Sequence, residues 1–174
     1  MVPWIRRFAG VMLWLLVAFQ SAFALETADQ YLIKSAYLYK FALFAEWPTP
    51  VTDHFQICVL GPDPFGDRLH ALEDKQIQSV PVAIRRVAAA GDATHCQVLF
   101  INPSNRAEMV EWLVELARWP ILTVSDRPDA FEEGVIIALQ TDPNRISFRI
   151  NLAKARKAGL SLRAQLLQLA NEVR

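Results

Sequence analysis

The most informative segment of this chain is KSAYLYKFALFAEWP, which runs from Lys34 to Pro48. Its large apolar side chains crowd nearly every face of a helix: Tyr37, Leu38, Tyr39, Phe41, Leu43, Phe44 and Trp47. An apolar band this wide is typical of a helix covered on more than one side. We predict a helix from about Ala28, behind a capping box at Thr27–Gln30, to Glu46, since Pro48 excludes helical geometry from the residue before it.

This aromatic-rich helix also raises the question of what covers it. Core packing accounts for part of its apolar surface, but the other predicted helices already present apolar stripes to the two faces of one sheet. The excess predicts contact with a second copy of the chain or with another protein. The candidate residues for this contact are Tyr37, Tyr39, Phe41, Phe44 and Trp47.

Downstream, short apolar runs bounded by turn residues predict strands. They are FQICVLG (Phe55–Gly61), VPVAIRRV (Val80–Val87), CQVLFI (Cys96–Ile101), PILTVSD (Pro120–Asp126), and a hairpin of Gly134–Leu139 with Arg145–Asn151. A helix capped by Asn105 separates two of these strands. We therefore predict an α/β fold: a single domain with a mixed, mostly parallel sheet of about five or six strands and helices on both faces.

Two helices are predicted after the hairpin. Asn151 caps a short helix that ends at Gly159, and Ser161 caps the last helix. The last helix has a regular apolar face formed by Leu162, Leu166, Leu169, Ala170 and Val173.

The first 24 residues have the pattern of a secretory signal peptide cut after Ala24. Arg6 and Arg7 precede an apolar run, Phe8–Phe19, that is shorter than the ~20 residues a membrane span needs. An uncleaved anchor is the alternative. The mature domain, residues 25–174, would carry 16 basic and 18 acidic residues, and this balance gives no field that attracts nucleic acid.

The chain has two cysteines, Cys58 and Cys96. An even count in an exported protein favours a disulfide, because the compartment is oxidising. Both residues lie in apolar strand-like runs, so a pair of buried free thiols is the alternative.

The residues offer little support for catalysis or metal binding, so we expect no enzymatic activity, no cofactor and no metal. The three histidines, His54, His70 and His95, lack the spacing of zinc ligands. Ser125 and Asp126 lie at the end of a predicted strand, but no nucleophile-elbow motif surrounds them.

A ligand pocket is the other use for polar residues at the strand ends. Asp63 and Asp67 follow a predicted parallel strand, and Ser125 and Asp126 end another, at the edge where open α/β sheets bind ligands. Turns and helix caps demand the same residue types, so ordinary turn chemistry explains them equally well.

Five segments in order resemble the YfiR-like proteins of the Gram-negative periplasm, over essentially the whole mature length. They are KSAYLYKFALFAEWP, ICVLGPDPFGD, CQVLFI, PILTVSD and RISFRINLAKARKAGLSLRAQLLQLA. The resemblance implies a periplasmic, homodimeric regulator without catalysis. Such a protein represses an inner-membrane diguanylate cyclase through its periplasmic segment, an outer-membrane lipoprotein can sequester it, and cyclic di-GMP and biofilm formation respond.

Individual residues also bear on this resemblance. Cys58 and Cys96 stand where the family has a disulfide, whereas a second pair found in some relatives is absent here. Lys40 replaces an asparagine common among relatives. Family members also accompany sensor kinases and outer-membrane receptors, so the alternative function is a periplasmic small-ligand-binding protein that feeds such a system.

Overall fold

Strand β2, Phe55–Leu60, is apolar on both faces, and this pattern sets the two layers around it. Phe55, Ile57 and Val59 enter one hydrophobic cluster, whereas Cys58 and Leu60 enter a second. Successive side chains of a strand point to opposite faces of the sheet. A strand that is apolar on both sides must therefore be covered on both sides, which is the usual condition of parallel sheets.

The computed structural model describes residues 30–142 and 145–174, and within these ranges eight strands form the main sheet. In spatial order they are β10 (Glu172–Val173), β8 (Arg145–Ile150), β7 (Ile137–Asp142), β6 (Leu122–Ser125), β5 (Val98–Ile101), β2, β4 (Val80–Val87) and β3 (Gln76–Ile77). Strands β4, β2, β5, β6 and β7 run parallel. Strand β8 is antiparallel to β7, which confirms the predicted hairpin and the mixed, mostly parallel sheet.

Helices pack on both faces of this sheet, as predicted. They are α1 (residues 30–43), α2 (Arg106–Leu116), α3 (Ala130–Glu133), α4 (Leu152–Lys157) and α5 (Ala164–Leu169), with 3-10 helices at Gly66–Leu72 and Ala90–Ala93. Leu38 and Phe41 of α1 join the cluster on one face. Met109 of α2 and Phe131 of α3 join the cluster on the other.

The predicted number of strands was too low. Five or six strands were expected, but the main sheet has eight, and a separate pair joins β1 (Ala45–Glu46) to β9 (Ser161–Leu162). Each of the missed strands is two residues long. A two-residue strand shows no alternation of apolar and polar residues, so no local pattern reveals it.

The last helix is present, but its predicted cap and extent were wrong. Ser161 lies in β9, helix α5 is only six residues long, and its N-cap residue Arg163 makes no side-chain capping bond. Leu169 is 67% exposed, and Val173 belongs to β10. The chain leaves the helix because the edge of β8 satisfies its backbone groups: Asn171 N–H donates to the carbonyl of Phe148.

Other helix boundaries agree more closely with the sequence. Asn105 and Asn151 accept from the backbone N–H groups of Glu108 and Lys154, which confirms both predicted caps. Helix α1 ends at residue 43 rather than at Glu46, because the chain turns into β1. The predicted signal peptide (residues 1–24) and the predicted cap at Thr27 lie outside the described residues.

The two cysteines form a disulfide between Cys58 of β2 and Cys96, just before the neighbouring strand β5. Both residues are buried in the second hydrophobic cluster. The bond closes a loop with a sequence separation of 38 residues, and this constrains the unfolded chain.

Replacement of both cysteines by alanine should therefore lower the free energy of unfolding by about 3–4 kcal/mol. Urea denaturation of the mature protein measures this loss. A reductant should produce a similar loss in the wild-type protein and none in the double variant. A loss below about 1 kcal/mol in both experiments would show that the crosslink contributes little.

Candidate functional site

Helix α1 crosses one face of the sheet from the carboxyl edge to the amino edge of the parallel strands. Near its start, the Tyr31 ring packs edge-on against Phe65, which follows β2, with ring centroids 5.2 Å apart. Beyond its end, Trp47 packs against Phe55, the first residue of β2, at 5.0 Å. The helix therefore runs opposite to the strands it covers.

A buried ion pair fixes the first turns of α1 to the sheet. Lys34 Nζ donates to Asp126 Oδ2 at 2.6 Å, and the two side chains are only 5% and 12% exposed. The Tyr31 hydroxyl donates to the same carboxylate oxygen at 2.9 Å. Removal of one partner from such a pair leaves an uncompensated buried charge, which costs about 3–5 kcal/mol.

The electrostatic environment keeps Tyr31 in its donor form. Burial raises the pKa of the Tyr31 phenol above its ordinary value, and the neighbouring Asp126 carboxylate raises it further. The phenol therefore stays protonated and continues to stabilise the carboxylate. Asp126 is occupied by these two partners and holds the helix in place.

The aromatic residues predicted to contact a partner are largely engaged within the chain. Phe41 is fully buried, in edge-on contact with Phe148. The Tyr37 hydroxyl donates to the carbonyl of Ile146, and the Tyr39 hydroxyl to that of Gln76. Together with Phe44 and Trp47, the two tyrosines pack against the first cluster and are half-buried. Core packing thus explains most of this aromatic content, and partner contact by these residues stays a prediction.

The exposed apolar surface of α1 lies on its outer side, at residues that the sequence reasoning did not select. Leu32 is 53% exposed and Ile33 is 50% exposed. Ala36 and Lys40 are exposed on the same side, one and two turns further along the helix. We call Leu32, Ile33, Ala36 and Lys40 the outer stripe; half-buried Tyr37 and Phe44 border it. Helical spacing alone would have distinguished this stripe from the core-facing residues of α1. The prediction instead selected the largest aromatic side chains.

The four residues proposed as ligand loops each have their own local contacts. Asp63 accepts from the backbone N–H of Phe65 and forms an ion pair with Arg86 at 2.8 Å. The side chain of Asp67 is fully exposed. Ser125 is fully buried, and its hydroxyl accepts from the backbone N–H of Arg127.

Two clefts lie at opposite edges of the sheet. One, of about 310 Å³, is at the carboxyl edge and is lined by residues that include Asp126, Arg127, Gln140, Asp142 and Arg149. The other, of about 420 Å³, is at the amino edge, and His54 and His95 are in its lining. In the described part of the chain, no three His, Cys, Asp or Glu side chains converge in a way that could hold a metal ion.

The ion pair predicts a specific stability effect. Replacement of Asp126 by asparagine should lower the free energy of unfolding by about 3–5 kcal/mol, because the buried Lys34 ammonium loses its counter-charge. The matched control is Glu46→Gln, which breaks the exposed pair with Arg163 and should cost less than about 1 kcal/mol. Urea denaturation compares the two variants. Equal losses would mean that the buried pair does not hold α1 in place.

The comparisons with known proteins agree with this architecture. The solved structures include a conserved domain protein from Vibrio cholerae O1 biovar El Tor strain N16961, which is similar to this chain with a TM-score of 0.53 at 12% identity. The match covers 68% of this chain and 54% of that one, so this chain spans about half the length of that structure. At this identity the similarity supports the fold alone.

The family comparison is more specific. A family profile described as YfiR/HmsC-like matches residues 31–171, from the start of α1 to just before β10. The proteins of this family are periplasmic regulators that act with membrane-associated partners. Within the described ranges, none of the helices has the length and apolar character needed to cross a bilayer. The chain belongs to the YfiR/HmsC-like family.

Proposed function

We infer that this chain is a periplasmic protein that represses a membrane-bound diguanylate cyclase, or a related sensor kinase, by direct contact. The observation that carries this inference is the YfiR/HmsC-like match over residues 31–171. Repression lowers cyclic di-GMP and with it biofilm formation. The chain acts as a homodimer after removal of residues 1–24, and an outer-membrane lipoprotein that sequesters it would release the cyclase.

The outer stripe of α1 supports contact as the mode of action. Leu32 and Ile33 are both at least half exposed, on a helix whose opposite side is fixed in the core. Exposed apolar side chains in a row are typical of surfaces that bind another polypeptide. The ion pair between Lys34 and Asp126 keeps the helix in one position. A rigid apolar stripe loses little conformational entropy when it binds.

The polar groups at the strand ends support a role without catalysis. Asp126 is held by Lys34 and Tyr31, and Asp63 is held by Arg86. A general acid or base must be free to exchange a proton with a substrate. These carboxylates instead serve as partners for the chain's own cations.

The mechanism is differential binding to two states of the sensor. A repressor that binds only the inactive state shifts the equilibrium toward it, whereas equal affinity for both states would shift nothing. Conversion from almost fully active to almost fully inactive requires about 5.5 kcal/mol of differential affinity. A competing protein that covers the same surface reverses the shift by removing the free repressor.

Deletion of the gene should therefore raise cyclic di-GMP in the cell, and expression of the wild-type chain should restore the original level. The double variant Leu32→Glu, Ile33→Glu should fail to restore it, because two charges replace the apolar contact. Leu169→Glu is the matched control, since Leu169 is 67% exposed on a different helix, α5. Cyclic di-GMP is measured in cell extracts, and urea denaturation checks that both variants are folded.

Two outcomes would contradict this proposal in different ways. Unchanged cyclic di-GMP after deletion would rule out repression of a cyclase. Full restoration by the folded double variant would retain repression but exclude the outer stripe as the contact.

A second candidate function is binding of a small ligand on behalf of a sensor kinase or an outer-membrane receptor. It is favoured by the carboxyl-edge cleft of about 310 Å³, because small-molecule sites typically measure about 300–1,000 Å³. Arg127 and Arg149 line this cleft together with Asp126 and Asp142. Charged groups of both signs would orient a zwitterionic ligand.

A double variant in this cleft separates the two candidates. Gln140→Ala with Asp142→Ala removes two lining side chains and leaves the Lys34–Asp126 pair intact. If repression depends on contact through α1, this variant should restore cyclic di-GMP as well as the wild-type chain does. A folded variant that fails in the same assay would instead favour the ligand-binding function.

A further inference from the structure

Helix α2 carries a second apolar stripe, most of which is exposed. Met109 and Leu116 form its buried side. Val110, Leu113, Val114 and Ala117 follow one another at helical spacing along another side. Val110 is 40% exposed and Val114 is 69% exposed. Leu113 is half-buried against the second cluster, whereas the core leaves Val110 and Val114 exposed.

Next to this stripe lies a small cavity between the end of α2 and helix α4. Its volume is about 70 Å³, and its apolar walls include Leu113, Leu116, Trp119, Ile121 and Ile136. Pockets for metabolites measure about 300–1,000 Å³, so this cavity is too small for a whole ligand. It is nevertheless several times larger than the ~10–15 Å³ that one water requires. Its size suits a single large side chain of a protein that covers the surrounding surface.

Two lysines of α4 line the same cavity. Lys154 and Lys157 are three residues apart, so they lie on one side of the helix, and both are exposed. Within residues 30–142 and 145–174, neither forms an ion pair with a carboxylate. Gly134 leaves room for the Lys154 stem, because a Cβ at Gly134 would lie only 2.9 Å from Lys154 Cε. The stem thus covers apolar surface while the ammonium group stays in solvent.

The acidic residues of α2 lie on another side of that helix. Glu111 and Glu115 are one turn apart on the same side of α2. Glu115 faces the 3-10 helix Ala90–Ala93, because a Cβ built at Gly91 would lie 3.0 Å from Glu115 Oε1. Neither glutamate lines the cavity. The surface beside the cavity therefore combines apolar side chains with positive charge.

We propose that the α2–α4 groove, defined by Val110, Leu113, Val114, Ala117, Lys154 and Lys157, binds an amphipathic helix of another protein. One large apolar side chain of that helix enters the cavity, and its acidic residues lie against the two lysines. In helix-in-groove recognition the bound helix uses apolar anchors at positions i, i+3, i+4 and i+7. The proposal rests on the proposed function, since the bound helix belongs to a protein partner of the regulator.

Charge complementarity favours a foreign acidic helix over a second copy of this chain. In a symmetric dimer the same patch occurs on both subunits. A second copy that docks groove to groove would therefore bring another Lys154 and Lys157 to the first pair, and like charges at an interface oppose binding. An acidic partner meets no such repulsion.

The test uses the purified mature chain and two synthetic alanine-based helical peptides of about four turns. Both peptides carry leucines at i, i+3, i+4 and i+7; one has glutamates beside the leucines and the other has lysines. Fluorescence anisotropy should show about tenfold tighter binding of the glutamate peptide. Lys154→Glu with Lys157→Glu should reverse this preference. Val114→Asp should weaken binding of both peptides.

The matched control is Lys75→Glu with Arg85→Glu, which makes the same change in net charge at exposed positions outside the groove. It should leave the preference for the glutamate peptide unchanged. A similar reversal in this control would mean that net charge, rather than the groove, selects the peptide. Equal affinity for both peptides, or no binding below millimolar concentration, would also overturn the proposal.

One further measurement separates a foreign helix from a second copy. If sedimentation shows a dimer that Val114→Asp dissociates, the groove binds this chain itself and the proposal is wrong. All of these readouts use purified protein and peptides, so their failure leaves the cyclic di-GMP result intact. Conversely, unchanged cyclic di-GMP after gene deletion would not affect the peptide measurements.

Discussion

The buried pair between Lys34 and Asp126 is the contact on which the arrangement of α1 depends. Asp126 directly follows β6, and Lys34 reaches it from the first turns of the helix. A helix shifted along its axis or rotated would leave either charge buried without a partner, and this is strongly unfavourable. Apolar contacts alone tolerate such shifts more readily. The ion pair thus selects one register among several that the wide apolar band of α1 would allow.

This register has a consequence at the carboxyl edge of the sheet. The parallel strands follow the order β4-β2-β5-β6-β7, so the connections change direction between β2 and β5. Open α/β sheets commonly bind ligands in the crevice at such a point. Here Phe65 packs on Phe100 of β5, and Tyr31 packs on Phe65. The Tyr31 ring thereby fills the space beside the switch point. The chain thus occupies this place with its own helix.

Local sequence patterns were sufficient to predict the central strands and two helix caps, because the residues that determine these features are close in sequence. Strand β2 is recognisable from its own apolar run. The caps Asn105 and Asn151 are recognisable from the helices that they begin. Strands β3 and β10 depend on distant partners, β4 and β8, and nothing within two residues encodes that pairing. The same holds for β1 and β9, which meet across more than a hundred residues.

The site was less predictable than the fold for a related reason. Lysine is rarely buried, so no local pattern indicates that Lys34 lies in the core; its partner Asp126 is 92 residues away in the chain. The aromatic residues drew attention through their size, yet Phe41 is fully buried and the exposed positions are Leu32 and Ile33. Whether an apolar residue faces the core or solvent depends on which side of the helix the sheet covers. Only the three-dimensional packing determines that.

The outer stripe of α1 and the proposed α2–α4 groove differ in the kind of contact that they can make with another protein. Lys154 and Lys157 act over about 8 Å at physiological ionic strength, so they can orient an acidic partner before it touches the groove. In the outer stripe of α1, burial of Leu32 and Ile33 contributes only after water is displaced. The ladder between β1 and β9 connects the end of α1 to the segment that follows α4. We therefore expect a partner of the groove to be oriented by charge before contact, and a partner of the outer stripe to be held by apolar burial.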